Sequence, residues 1–332
     1  MTILVTGGAG YIGSHMVHEL VDAGEPVVVL DNLSTGFRFL MPASVPFVAG
    51  STGDRDLVAK TLRQHRVSAI IHFAASIVVP DSIRDPLGYY RNNTMNTCAL
   101  LDVAIEAGVK QLIFSSTAAV YGDTGSTPVR EDAATLPISP YGTSKLMSEI
   151  MLHDAGKAHG LRFVVLRYFN VAGADPKLRS GQSSAAATHL IKIACEAALG
   201  KRPRIDVFGT DYPTPDGTCI RDYVHVSDLA RAHSAALGYL RRGGDSATFN
   251  CGYGRGSSVI EVIAAVRRAS GRDFAVEICS RRPGDPAALV ANVDRIRSML
   301  DWRPQFQDID TIVAHAYAWE RRLSGKRETT AA

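Results

Sequence analysis

An α/β fold built on a doubly wound parallel sheet, with a smaller α/β domain for the substrate, is predicted by three features of the sequence. Short apolar runs alternate with segments of helical length, and strands joined by helical crossovers must lie parallel. A glycine-rich turn directly follows the first apolar run and opens the first helical segment. After Arg167 the alternation loosens, and Gly, Ser, Asp and Pro accumulate over 173–184.

The predicted strands are apolar runs bounded by turn residues at 3–6, 27–30, 46–48, 69–73, 111–115 and 162–167. Gly24 and Gly108 each stand between a helical pattern and the next strand, where a left-handed residue ends a helix. Further helices are expected at 189–199, 227–240 and 259–270, with a long loop at 210–218. The run 247–251 is expected to return to the first sheet as an added strand. The resulting division is 1–172 for a dinucleotide-binding domain with a returning segment near 223–252, 173–324 for a substrate domain, and 325–332 for a flexible tail.

With 332 residues, 46% of them hydrophobic, the chain can bury a large core. Thirty-six basic residues against 33 acidic leave a formal charge of +3, too small to imply nucleic acid or a membrane surface as partner, so small-molecule chemistry is expected. The five cysteines (Cys98, Cys195, Cys219, Cys251, Cys279) are odd in number and never spaced as CxxC, which argues for reduced thiols rather than disulfides or zinc. The histidines show no metal spacing, so no metal is expected. An apolar strand beginning at residue 2 leaves no room for a signal peptide, and no apolar run approaches the ~18–20 residues that span a bilayer, so a cytoplasmic location is expected.

The run Thr6-Gly7-Gly8-Ala9-Gly10-Tyr11-Ile12-Gly13 joins a strand to a helix. Glycines admit a pyrophosphate close to the backbone, and the helix N-terminus offers N–H groups and partial positive charge. An ordinary glycine turn is the plainer reading. Asp31, 18 residues beyond Gly13 at the end of the second strand, suits the adenosine ribose hydroxyls and would repel the 2′-phosphate of NADP, so the cofactor expected is NAD. The plainer reading of Asp31 is that it starts the Asp31-Asn32 turn.

Tyr141 and Lys145 are four residues apart and share one helix face. A nearby ammonium favours phenolate and is expected to lower the tyrosine pKa from ~10 toward the working pH. Thr117, at the carboxyl end of the fifth strand, is placed to hydrogen-bond the reacting oxygen, since ligands of open α/β sheets bind along that edge. A solvated helix face and a strand-capping threonine are the plainer alternatives.

The glycine motif, Thr117, Tyr141 and Lys145, in that order, resemble the extended short-chain dehydrogenase/reductase family over nearly the whole chain, which implies a Rossmann-type sheet. Further stretches, among them Asp31-Asn32-Leu33, His72-Phe73-Ala74-Ala75, Tyr89-Tyr90-Arg91-Asn92-Asn93, Arg167-Tyr168-Phe169-Asn170, Phe208-Gly209-Thr210-Asp211-Tyr212, Asp216-Gly217-Thr218 and Arg221-Asp222-Tyr223-Val224-His225-Val226, look like the UDP-glucose 4-epimerase family. That resemblance implies interconversion of UDP-galactose and UDP-glucose through a 4-keto sugar. Tyr141, Lys145 and Thr117 would be catalytic. NAD contacts would come from Gly7, Gly10, Tyr11, Ile12, Gly13, Asp31, Asn32, Ser51, Thr52, Phe73, Ala74, Ala75, Asn92, Ser115 and Tyr168, besides Tyr141 and Lys145. The UDP-sugar would meet Asn170, Val207 and Thr117, with Arg221 and Arg282 on the diphosphate, where a guanidinium fork suits phosphate oxygens. Asp285 would take the uridine ribose, and Leu190 and Phe208 would line the uracil pocket.

Several positions depart from the family pattern. Ile77 stands where many members carry a lysine, and Gly50-Ser51-Thr52 replaces a Gly-Asp pair that reaches adenine. His189 stands where others have an amide near the uracil, and Leu289 where some have a tyrosine that narrows the sugar pocket. Ala118-Ala119 after Thr117 lacks the acidic residues that a dehydratase would need. The resemblance also implies a homodimer pairing helices near 96–107 and 141–159. Alternatives are a 4-epimerase of UDP-N-acetylglucosamine, UDP-glucuronate or UDP-xylose, and a non-catalytic NAD or nucleotide-sugar sensor, the last motivated by Ile77 and Ser51.

Overall fold

A computed structural model describes residues 2–124, 128–184, 188–282 and 284–330, with side chains described through Gly325. The first half runs β1 (Thr2–Thr6), α1 (Tyr11–Asp22), β2 (Val27–Asp31), β3 (Phe47–Ala49), α2 (Arg55–Gln64), β4 (Val67–His72), α3 (Val79–Arg84), α4 (Pro86–Tyr89), a π-helical segment Tyr90–Met95, α5 (Asn96–Glu106), β5 (Gln111–Thr117), α6 (Pro140–His159) and β6 (Arg162–Tyr168). The remainder runs β7 (Asn170–Ala172), α7 (Leu190–Ala198), β8 (Arg204–Phe208), β9 (Ile220–Arg221), β10 (Tyr223–His225), α8 (Val226–Arg241), β11 (Ala247–Cys251), β12 (Ser257–Ser258), α9 (Val259–Ser270), β13 (Ala275–Cys279), β14 (Ala288–Leu289), α10 (Asp294–Met299) and α11 (Ile309–Thr330).

Seven strands form one sheet in the order β11-β6-β5-β4-β1-β2-β3, every pair parallel. Successive side chains of a strand face opposite ways, and the core divides accordingly. Ile3 and Val5 pack with Met16 and Val17 of α1 and Leu229 and Ala236 of α8, while Leu4 packs with Val58 of α2, Leu100 of α5 and Leu152 of α6. Chain order reverses between β1 and β4, so the glycine turn after β1 opens at the crevice where such sheets bind ligands. The returning strand over 247–251 is β11, which joins the sheet beside β6.

The smaller α/β region packs α7, α9 and α11 together and carries the parallel pair β8/β13 and the three-stranded sheet β12-β9-β14. Helix α9 has the bounds expected at 259–270. Ser258 and Glu261 cap each other's backbone at its start, and Gly271 ends it at φ 64°.

Three expectations need correction. β5 runs to Thr117 and β6 to Tyr168, because parallel pairing continues through Ser115↔Leu166, Ser116↔Arg167 and Thr117↔Tyr168 after the apolar run has ended. β3 and β4 lie one or two residues from the expected runs. The tail expected to be flexible from Gly325 is helical as far as Thr330, since its polar residues include good helix formers that extend α11; residues 331 and 332 lie outside the described residues.

Candidate active site

The glycine turn is fixed by contacts that exclude a side chain. Gly7 sits at φ 70°, and a Cβ there would lie 2.6 Å from the Ala74 backbone nitrogen, just past β4. A Cβ on Gly13 would lie 2.1 Å from the Gly7 carbonyl oxygen, and one on Gly10 would meet the same oxygen at 3.2 Å. Helix α1, which begins with Tyr11 and Ile12, starts at Gly10 with no side-chain cap and no acidic residue in its first turn. That N-terminus suits an anion. Tyr11 donates its hydroxyl to the Gly173 carbonyl at 2.7 Å, which ties the turn to the smaller region.

Asp31 forms the turn weighed as its plainer role and also reaches the glycine turn. Its carboxylate accepts from Ala9 N at 2.9 Å inside the glycine turn and from Leu33 N at 2.7 Å in the Asp31-Asn32 turn. Each oxygen keeps a lone pair for a further donor. Ser51 accepts from Gly53 N at 3.1 Å, and Thr52 beside it is buried. Asn92 donates to Ser76 Oγ at 2.9 Å. Phe73, Ala74 and Ala75 follow β4 directly, with the Phe73 ring 4.7 Å from that of His233. His233 donates from Nδ1 to the Leu229 carbonyl, so its Nε2 accepts from Ser115 Oγ at 2.9 Å; Ser115 is also hydrogen-bonded to Tyr168.

Helix α6 places the pair that the sequence singled out. Ser139 caps it by accepting from Gly142 N at 3.2 Å, and Pro140 opens it with φ already set. Tyr141 and Lys145 follow one turn apart, both buried. Tyr141 is hydrogen-bonded to Thr117, whose Oγ1 also accepts from Ala119 N at 3.1 Å as a strand-end cap. Lys145 donates to the Ser115 carbonyl at 2.9 Å and stands 4.8 Å from the Phe114 ring centroid. Gly142 must lack a side chain, since a Cβ there would lie 2.6 Å from the Ala119 carbonyl oxygen.

The electrostatics correct one expectation. Burial pushes the Tyr141 hydroxyl up to about 12, and the Thr117 hydrogen bond only partly offsets this. Burial also lowers the Lys145 ammonium to about 8, against the pull of the Glu149 carboxylate. In the protein alone, desolvation of the phenolate therefore dominates, and Tyr141 is not brought to neutral pH.

In the smaller region, Arg221 of β9 donates to the Asp285 carboxylate at 2.5 Å, and the Arg282 guanidinium lies 3.7 Å from the Phe208 ring centroid. Leu289 of β14 pairs with Arg221 across the strands, and Val207 is buried next to Phe208. Asn170 binds the Asp222 carbonyl through its N–H at 2.9 Å, so the chain leaving Tyr168 leads straight to the strand of Arg221. His189 and Leu190 sit at the start of α7, where His189 lines a small cavity with Tyr11, Gly173 and Gln182. Ile77 is half exposed. Among the described residues, no cluster of three or more His, Cys, Asp or Glu is placed to hold a metal ion.

Sequence reasoning missed several buried polar groups around the site. His72 holds β4 to β1 and α5: Thr97 donates to the Asn93 carbonyl at 2.5 Å, so it accepts from His72 Nε2, leaving Nδ1 to accept from Thr6 Oγ1 at 2.6 Å. Asn93, in the π-helical segment, bridges Ser76 and Ser144. Asp222 accepts from the backbone N–H groups of Tyr253 (2.8 Å), Gly254 (2.9 Å) and Ala291 (3.2 Å), and burial raises its pKa to about 6. Asp222→Ala would leave two buried donors and one partly buried donor without their partner and is expected to cost about 3 kcal/mol. Thermal denaturation would show it, and an unchanged Tm would contradict the assignment.

The family described as the NAD dependent epimerase/dehydratase family matches residues 3–252. A UDP-glucose 4-epimerase of Azospirillum brasilense is 60% identical over 321 residues, covering 97% of this chain and 92% of its own. The crystal structure of UDP-glucose 4-epimerase from Brucella ovis in complex with NAD superimposes with a TM-score of 0.93 at 44% identity, over 96% of this chain and 97% of that one. The UDP-Glc/GlcNAc 4-epimerase of Campylobacter jejuni gives a TM-score of 0.85 at 45% identity, over 97% of this chain and 99% of that one.

Proposed function

The chain belongs to the NAD dependent epimerase/dehydratase family, and from that premise we propose that it is an NAD-dependent isomerase that interconverts UDP-galactose and UDP-glucose at C4. The observation that carries this reading is the placement of Tyr141 on Thr117, with Lys145 one turn further, at the sheet edge where the glycine turn opens.

Gly7, Gly10 and Gly13 form a cradle that a Cβ would fill, and the uncapped start of α1 with Asp31 opposite suits a dinucleotide without a 2′-phosphate. NAD held there would supply the acceptor and later the donor of the C4 hydride. Tyr141 takes the proton of the sugar 4-OH and returns it after the 4-keto sugar has turned over, while Thr117 orients the same oxygen. Lys145 holds positive charge one turn away, which favours the phenolate against burial. Arg221 and Arg282 take the diphosphate, Asp285 takes the uridine ribose, and Phe208 with Leu190 lines the uracil side.

The test is to incubate purified protein, with no NAD added, with UDP-galactose and in parallel with UDP-N-acetylgalactosamine, and to separate the products by chromatography. Conversion of UDP-galactose is expected. No conversion of either sugar, even with NAD supplied, would leave a silent binder or another substrate. Leu289 beside Arg221 favours a second reading, in which the leucine leaves room for an N-acetyl group and both sugars turn over. Good glucose activity with no detectable N-acetyl product would end that reading.

Met95, Met147 and Ile150 are exposed around α5 and α6 and suit burial in a homodimer through these helices. No described helix is long and apolar enough to cross a membrane, and the cysteines are free, which fits action in the cytoplasm.

A further inference from the structure

We propose that Glu149 is a positioning residue for the proton-transfer pair, locking the register of α6 on the end of β5 and setting its carboxylate one helical turn from Lys145. The proposal rests on the reading of Tyr141 and Lys145 given above.

Glu149 lies four residues beyond Lys145 and eight beyond Tyr141, on the same face of α6, and is 2% exposed. Three consecutive residues of β5 each receive one residue of that face: Thr117 bonds Tyr141, the Ser115 carbonyl takes Lys145 Nζ, and Ser116 donates to the Glu149 carboxylate. Arg167 of β6 closes the carboxylate from the other side, with Nε at 3.1 Å from both oxygens and its terminal nitrogen at 2.6 Å. The rest of the guanidinium is used as well. It donates to Tyr121 Oη at 3.0 Å and to the Glu131 carbonyl at 3.3 Å; Tyr121 in turn donates to Asn250 of β11, and Asn250 to the Val129 carbonyl.

An ion pair satisfied on every side fixes a geometry more than it adds stability. Here it fixes α6 against three strands. A slip of α6 along β5 would break the Ser116 bond and misplace Tyr141 by the same distance.

The carboxylate also acts through charge. The groups facing Lys145 are Tyr141 and Glu149 from its own helix, the Phe114 ring and Ser115 carbonyl from β5, and His72 from β4, held neutral by burial at about 3. Burial opposes the ammonium, and Glu149 opposes burial. Removing the negative charge should therefore release the Lys145 proton at lower pH. If the ammonium is the active form, the alkaline limb of the pH profile moves toward neutrality.

The experiment measures kcat and KM for UDP-galactose against pH in the NAD-bound enzyme, with Tm recorded for each variant. Glu149→Gln is expected to shift the alkaline limb acidward by about one unit and to lower kcat about tenfold on that side, with KM little changed. Glu149→Asp, which keeps the charge, is expected to return the limb to its original position at reduced kcat. Should Glu149→Gln fold poorly because Arg167 is left unpaired, the double variant Glu149→Leu with Arg167→Leu removes both buried charges and is expected to shift the limb in the same direction by a smaller amount, since the positive charge of Arg167 is lost as well. Folded variants without the charge that keep the wild-type limb would overturn the proposal, as would a Glu149→Asp limb shifted as far as that of Glu149→Gln. An active Tyr141→Phe enzyme would instead overturn the reading of the pair itself.

Discussion

Tyr141→Phe is expected to lower turnover by at least ~10²-fold while leaving fold, NAD content and nucleotide affinity near those of the parent. The substitution removes one oxygen and keeps the ring, and Tyr141 is buried, so the packing around it persists. What is lost is the Thr117 hydrogen bond and the atom that would carry the substrate proton. The size of the effect follows from the electrostatics of the site. A phenol pushed to about 12 by burial is a poor base at neutral pH unless neighbouring positive charge assists it. The measurement is initial rate with UDP-galactose beside a thermal scan. Near-normal kcat would remove Tyr141 from the mechanism, whereas a low Tm would show damage to the fold rather than to the chemistry.

The sequence made this site legible to the extent that its residues are local to one another. The glycine turn, Asp31 at a strand end, and Tyr141 and Lys145 on one helical turn each announce themselves within a few residues. The 259–270 helix was readable to its ends because Ser258, Glu261 and Gly271 signal both of them. The burial of Ser115, Ser116 and Thr117 was not readable, since polar residues look like the end of a strand and their partners come from other parts of the chain: His233 from α8, Glu149 and Tyr141 from α6. Glu149 resembles any solvated helix residue until the fold brings Arg167 against it. The tyrosine titration failed for a related reason. Spacing put Lys145 one turn from Tyr141, but did not give the depth of burial that raises the phenol. Asp222 carries no local signature either, because the three donors it accepts from lie 31, 32 and 69 residues away.

Gly13→Ala is the second substitution expected to have a large effect, this time on the cofactor. The added methyl would stand 2.1 Å from the Gly7 carbonyl oxygen, 2.8 Å from its carbon and 2.9 Å from the Gly8 α-carbon, all backbone atoms with no side chain to swing aside. Either the glycine turn or the first turn of α1 must move, and both are the proposed seat of the pyrophosphate. The expected result is protein purified without NAD, with affinity for added NAD reduced by ~10²-fold or more, equivalent to about 2.7 kcal/mol. Gly24→Ala supplies the control. Gly24 has a left-handed φ of 71°, like Gly7, but a methyl there meets nothing within 4 Å and lies at the far end of α1. It should cost about 1 kcal/mol of stability through backbone strain and leave bound NAD intact. Loss of NAD from both variants would trace the effect to general destabilisation, and full NAD retention by Gly13→Ala would mean that the turn does not hold the cofactor.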